Sequence, residues 1–414
     1  SGGAEMRRVN PCCPGEINSY RKKMCIVILI ILLLSAAMTL IRSAEHASAE
    51  DDIEDKLNGT IDSQLDSLDL TDIEKLIEGL ESYGIFESTF KAKVESIIAG
   101  DFAVDGTSFI GYILRLIFSD FLAFLPMYSA IAAIAILSGI VSGLRSGSFS
   151  TTTSDVVFYA CYSAIILITV SGVSSMYERT YEAISSVRKI TEFIMPVLLT
   201  LMTAIGGNVT LKVYRPAAAM FAGGVTEIII TAVLPLFLIS FVLAVVSNLS
   251  RSVRLNKLSS FFGSLSVWVI GLVFTFFTSF LTVQGLTAAT IDGISYKAAK
   301  FAAKSYIPIL GGYISDGFDL ILAGSMLIKN AVGVGGLCVM LISVISPIIE
   351  VVVFSLGIKL VGALAEPVSD SRISTFLTGT AKSMTILYVS MIAAAFMFFI
   401  TVTLIIMTSG ITLG

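Results

Sequence analysis

Ser305-Tyr-Ile-Pro-Ile-Leu-Gly-Gly-Tyr-Ile-Ser-Asp-Gly-Phe-Asp319 lies between two hydrophobic runs. Pro308 removes a backbone donor, and Gly311 and Gly312 free the backbone. Asp316 and Asp319 add charge where the neighbouring sequence is apolar. Irregular, charged backbone at membrane depth is tolerated only against protein or a water-filled cavity. The stretch therefore reads in two ways. It is a connecting loop with a short interfacial helix, or a re-entrant, discontinuous helix lining a polar path.

The surrounding composition sets the solvent. Of 414 residues, 55% are hydrophobic and 14% charged, and the mean hydropathy is +0.89. Soluble domains carry about 25% charged residues. The chain reads as an all-α polytopic membrane protein. The net charge of -4 leaves no basic stripe to neutralise phosphates, so nucleic acid is not an expected partner. Membrane lipid is.

Candidate spans are residues 121–143, 155–176, 219–247, 262–285, 332–361 and 384–407, each near the 20 residues a bilayer requires. Residues 193–211 and 307–328 are weaker candidates, each with Pro near its start and paired glycines. The count is thus six to eight transmembrane helices.

The two weak candidates occupy matching places. A shift of 112 residues sets Pro196 on Pro308, Gly223 and Gly224 on Gly335 and Gly336, and Pro235 on Pro347. It also sets Arg188 on Lys300. An internal repeat follows, with units at about 155–258 and 262–371. Each unit reads as a span, an amphipathic basic segment (178–192 or 288–304), a broken Pro/Gly helix and a second span. If the broken helices are re-entrant, Arg145, the Arg251/Arg254/Lys257 cluster and the Lys359/Arg372/Lys382 group share one side. That gives six spans with the basic ends inside and both termini outside. If they cross, the repeats are inverted.

Residues 107–414 form this multi-span membrane domain. Before it, Arg21-Lys22-Lys23 precede an apolar run at 24–34, and Ala47-Ser48-Ala49 fits a cleavage site. Residues 1–49 are expected to be a leader and signal peptide. Residues 50–106 then form a short acidic extracytoplasmic helical region. In it Thr71 and Glu74 have capping-box spacing ahead of one apolar face, and a second amphipathic piece runs over 86–98.

Chemistry is sparse. The sole histidine is His46, in the expected leader. The cysteines are Cys12, Cys13, Cys25, Cys161 and Cys338, without metal spacing. Gly379-Thr-Ala-Lys-Ser383 lacks the leading glycine spacing of a P-loop. No catalytic constellation, cofactor or metal site is expected, and no enzyme activity. The remaining polar candidates are Glu227, Lys329 and Glu350 inside apolar spans, with Asp316 and Asp319. Each serves as a helix-to-helix contact or as part of a hydrophilic conduit or coupling-ion site. Glu227 and Glu350 do not correspond under the repeat.

Lys300-Phe-Ala-Ala-Lys-Ser-Tyr-Ile-Pro-Ile-Leu-Gly-Gly-Tyr-Ile-Ser-Asp316 and Leu327-Ile-Lys-Asn-Ala-Val-Gly333 resemble the stage III sporulation protein AE family of endospore-forming bacteria. So does the order of signal peptide, acidic helical region with Leu68-Asp-Leu-Thr-Asp-Ile-Glu74, and multi-span domain. The resemblance implies a role in sporulation, in the mother-cell membrane around the engulfed forespore. It implies partners: other membrane proteins of the same operon and a forespore-side channel component, in a complex needed for late forespore gene expression. It supplies no catalytic residues. Two functions are therefore expected in competition: a structural, conduit-forming subunit of that complex, or a self-sufficient secondary transporter built on the repeat.

Overall fold

A computed structural model describes residues 90–98, 106–143, 151–205, 212, 215–216, 220–249, 255–306 and 311–408. Among the described residues there is helix and no strand. In chain order the helices are α1 (Phe90–Ile98), α2 (Gly106–Gly143), α3 (Thr151–Ala204), α4 (Leu234–Leu249), α5 (Asn256–Tyr306), α6 (Gly311–Ala365), α7 (Ser371–Ser383) and α8 (Thr385–Thr408). Ahead of α4 the chain is helical but unevenly wound. Met220–Val225 and Ile229–Val233 are π-helical, with three α-helical residues, Thr226–Ile228, between them. Among the described residues six helices are long and apolar enough to cross a membrane.

Side-chain contacts give the direction of each helix. α2 runs parallel to α6: Phe124 meets Phe354 edge-on at 5.5 Å, and further along Gly139 lies against Val368, just past the end of α6. α3 runs antiparallel to α6, with Gly172 against Phe354 and Ile194 over Gly336. Tyr177 of α3 stacks on Phe237 of α4 at 6.5 Å, and Arg188 reaches back to Glu227. α4 and α5 form an antiparallel hairpin. Ser240 and Ser259 each donate a hydroxyl to the other's carbonyl at 2.8 Å. α7 folds back along α6, where Ser374 donates to the Gly362 carbonyl and Ser355 to the Ala381 carbonyl. α8 continues in the same direction. The chain therefore makes six passes of alternating direction, and the ends near 143, 151, 249, 256, 365 and 371 share one side.

Three helices are longer than the sequence pattern implies. α3, α5 and α6 hold 54, 51 and 55 residues. At 1.5 Å per residue each is about 75–85 Å long, against about 30 Å of hydrocarbon. The break expected at Pro196 is corrected here. α3 continues through Pro196, and Gly311 and Gly312 open α6 as helix. Residues 178–192 keep the helical period of the span before them, so polarity there changes the face presented and does not stop the helix. Beyond Pro196, buried Leu198, Leu201 and Met202 hold α3 in place. The six alternating passes among the described residues include this helix, unbroken from Thr151 to Ala204. Pro308 lies outside the described residues, as do the expected signal peptide and the predicted helix near 69–80. The second predicted piece, 86–98, appears as α1, which buries Val94 and packs on α6.

The two stretches related by the 112-residue shift differ locally. Gly223 and Gly224 lie in π-helical backbone, Gly335 and Gly336 in the α-helical interior of α6.

α6 is the axis of the bundle, touching α1, α2, α3, α5, α7 and α8. Four of its glycines each admit a different neighbour. A methyl group at Gly333 would meet Ile406 of α8, at Gly336 Ile194 of α3, at Gly357 the Tyr128 ring of α2, and at Gly362 Leu377 and Thr378 of α7. Small residues let helix backbones approach where lipid supplies no hydrophobic drive. Gly357→Ala is expected to destabilise the detergent-solubilised protein by about 1–3 kcal/mol, the usual range for overpacking. Gly271→Ala, with nothing within 4 Å, serves as the unaffected control in the same thermal melt.

Candidate functional site

The polar groups expected inside the spans fall into three separate arrangements. The first is Lys329, on α6. Its side chain is fully buried, with relative exposure 0%. Nζ donates to the carbonyl of Ile405 at 2.7 Å and approaches that of Ile406 at 3.3 Å. These carbonyls belong to the last turn of α8, where the helix has no intrahelical donors left and carries the negative end of its dipole. The ammonium thus meets a ready-made acceptor. Gly333, one turn further along α6, makes room for Ile406 at the same contact.

The second arrangement joins three helices. Arg179 of α3 lies with Nε 3.5 Å from Glu350 Oε2 of α6, and also pairs with Glu182 at 4.0 Å. Asp120 of α2 is near enough to feel both Arg179 and Glu350. Two turns along α2, buried Tyr128 donates its hydroxyl toward the Val353 and Phe354 carbonyls at 3.3 and 3.4 Å. The charge cluster is therefore held by an aromatic seam, Phe124 on Phe354 and Tyr128 on Gly357.

The third is Arg188, which bonds Glu192 through Nε and Glu227 through Nη1, both at 2.9 Å. Glu227 stands on the short α-helical piece between two π-helical turns. Such turns are often found at functional positions.

Glu227 and Glu350 are thus not brought together; each has its own arginine from α3. Asp316 and Asp319 lie near the start of α6, and Lys329 sits about two turns or more further along it. Among the described residues no group of three or more metal-ligating side chains is assembled. Cys161 is buried and Cys338 half-buried.

Sequence reasoning missed Arg179, Asp120 and Tyr128. The signal was present in the amphipathic 178–192 segment. Periodicity alone, which gave an amphipathic basic segment, does not reveal the partners that its arginines find in Glu350 of α6 and in Glu227.

The family model for stage III sporulation protein AE (Spore_III_AE) matches residues 88–409, from α1 to the end of α8. The chain belongs to the stage III sporulation protein AE family. Stage III sporulation protein AE of Bacillus subtilis (strain 168) is 23% identical over 390 residues, which cover 94% of this chain and 98% of that protein. No solved structure matches the chain. The match includes all three polar arrangements. A member of this family is a sporulation protein, and six apolar helices make it a multi-pass membrane protein.

Lys329→Met keeps the bulk of the side chain and removes its charge and donors. It is expected to cost about 1–3 kcal/mol, the range for a lost buried hydrogen bond. Differential melting in detergent measures this, and limited proteolysis should show earlier clipping in the last turn of α8.

Proposed function

We propose that this chain is a conduit-forming membrane subunit of the sporulation complex that joins mother cell and forespore. The observation that carries the proposal is family membership over the whole bundle, combined with charged pairs held between helices within candidate spans. Charge at membrane depth costs about 2.5–3.5 kcal/mol per residue on insertion scales, so its retention calls for a use or a compensating partner. The subunit would sit in the mother-cell membrane. The ends at 143–151, 249–256 and 365–371, which carry Arg145, Arg251, Arg254, Lys257 and Arg372, would face the mother-cell cytoplasm. Residues 50–106 would then lie in the space between the two membranes, available to a forespore-side channel component. Other membrane proteins of the same operon would complete the complex.

The rival reading, a self-sufficient permease, drew on paired broken helices at matching places. Continuous helix through Pro196 removes one of that pair.

Affinity purification of the tagged protein from sporulating cells, in mild detergent with mass spectrometry, tests membership. Co-purification of other membrane proteins of the same operon is expected. Recovery of this chain alone, together with solute flux in liposomes, would transfer the function to a permease. The polar candidates are tested by spore yield. Glu350→Gln and Asp316→Asn are each expected to lower it at normal protein level, and silence of both would remove the conduit role from these residues.

A further inference from the structure

α3 is amphipathic over a length that exceeds a bilayer. Between Ser171 and Thr203 its exposed residues are Ser171, Ser174, Ser175, Glu178, Arg179, Glu182, Lys189, Glu192, Thr200 and Thr203, with Tyr181 and Pro196 as the interruptions. The opposite face buries Val173, Met176, Ile184, Val187, Ile194 and Leu198. The polar stripe extends along about 50 Å of helix.

Its height in the bundle follows from contacts. Tyr177 of α3 is level with Phe237 of α4, and Ser240 of α4 is level with Ser259 of α5. α3 and α5 run in the same direction with the same rise. Phe237 is three residues below Ser240, so Tyr177 is level with Phe262. Trp268 is then level with Glu182 and Ala183, and Phe276 with Thr191 and Glu192. Yet Trp268, Leu272 and Phe276 are 74%, 65% and 61% exposed. At one height the bundle thus presents an aromatic and aliphatic surface on α5 and a charged surface on α3. The Met220–Leu249 helix stands between them, packed on both.

One solvent cannot suit both faces. The exposed apolar face of α5, within a helix long and apolar enough to span, suits acyl chains at this height. At that depth a lipid-facing row of charges is strongly disfavoured, so the α3 face meets water or protein. The described helices of this chain leave it exposed. Its charges nearly balance: Glu178, Glu182, Glu192 and Glu227 against Arg179, Arg188 and Lys189. Identical copies can therefore turn this face to a common axis without strong like-charge repulsion, and closed rings are the usual form of such assemblies.

We infer that the polar stripe of α3, from Ser171 to Thr203, is the wall of a water-filled passage enclosed by further copies of this chain, with α5 on the lipid side. This rests on the conduit reading above and assigns it a surface.

The test uses the full chain in liposomes, with its native cysteines replaced and single cysteines placed at Ser171, Glu182 and Thr200 on α3 and at Leu272 and Phe276 on α5. A hydrophilic, charged maleimide is the probe. The α3 positions are expected to react at least about tenfold faster than the α5 positions, a ratio equivalent to about 1.4 kcal/mol. Single-molecule photobleaching of the same sample is expected to count more than one copy per assembly. Equal rates on the two helices, whether both fast or both slow, overturn the inference. Fast labelling of α3 in a chain that is monomeric in the bilayer overturns the enclosure by copies. If α3 is dry while the protein still co-purifies with the operon's membrane proteins, the passage fails and the subunit reading stands.

Discussion

The close approach of four neighbours to α6 is the constraint on which the bundle depends. In a bilayer, apolar side chains gain little by leaving lipid for protein, so helices associate through packing and polar contacts. Gly333, Gly336, Gly357 and Gly362 each remove a side chain where a different helix must come near. Around those openings the seams form: Ile406 and the Lys329 cap on α8, Ile194 on α3, the Tyr128 ring on α2, and Leu377 on α7. The glycines act here through their lack of bulk, inside regular helix.

The polar interior follows the same geometry. Buried Lys329 is placed against the carbonyl end of a helix, where acceptors are available without a buried carboxylate. Glu350 and Glu227 each receive an arginine from α3, so one helix supplies both cations. These pairs are partly exposed, and their contribution to stability is accordingly small. Their larger consequence is positional. They fix the rotation of α3, with its apolar side toward α6 and Ser171, Glu182, Glu192 and Thr200 away from the core.

That rotation gives the molecule two kinds of surface at one height. α5 offers Trp268, Leu272 and Phe276 outward, while α3 offers Glu182, Lys189 and Glu192. A protein working in a sporulation membrane needs an apolar exterior and, if solutes or segments are to pass, a polar interior. A single copy has both sides but no enclosure.

The sequence by itself determined the all-helical membrane class, a range of six to eight spans and the polar residues within them, because hydropathy over about 20 residues is a local property. It also carried the family, through the block from Lys300 to Asp316. Only the tertiary structure decided that residues 151–204 are one helix. Pro196 and the charges at 178–192 look like interruptions in a linear reading, yet neighbours that pack beyond the proline keep the helix going. Tertiary structure alone likewise paired Glu350 with Arg179, which are 171 positions apart in the chain. It also set the charged face of α3 level with the aromatic face of α5. Height in a bundle is fixed by contacts between distant segments, and no local pattern contains it.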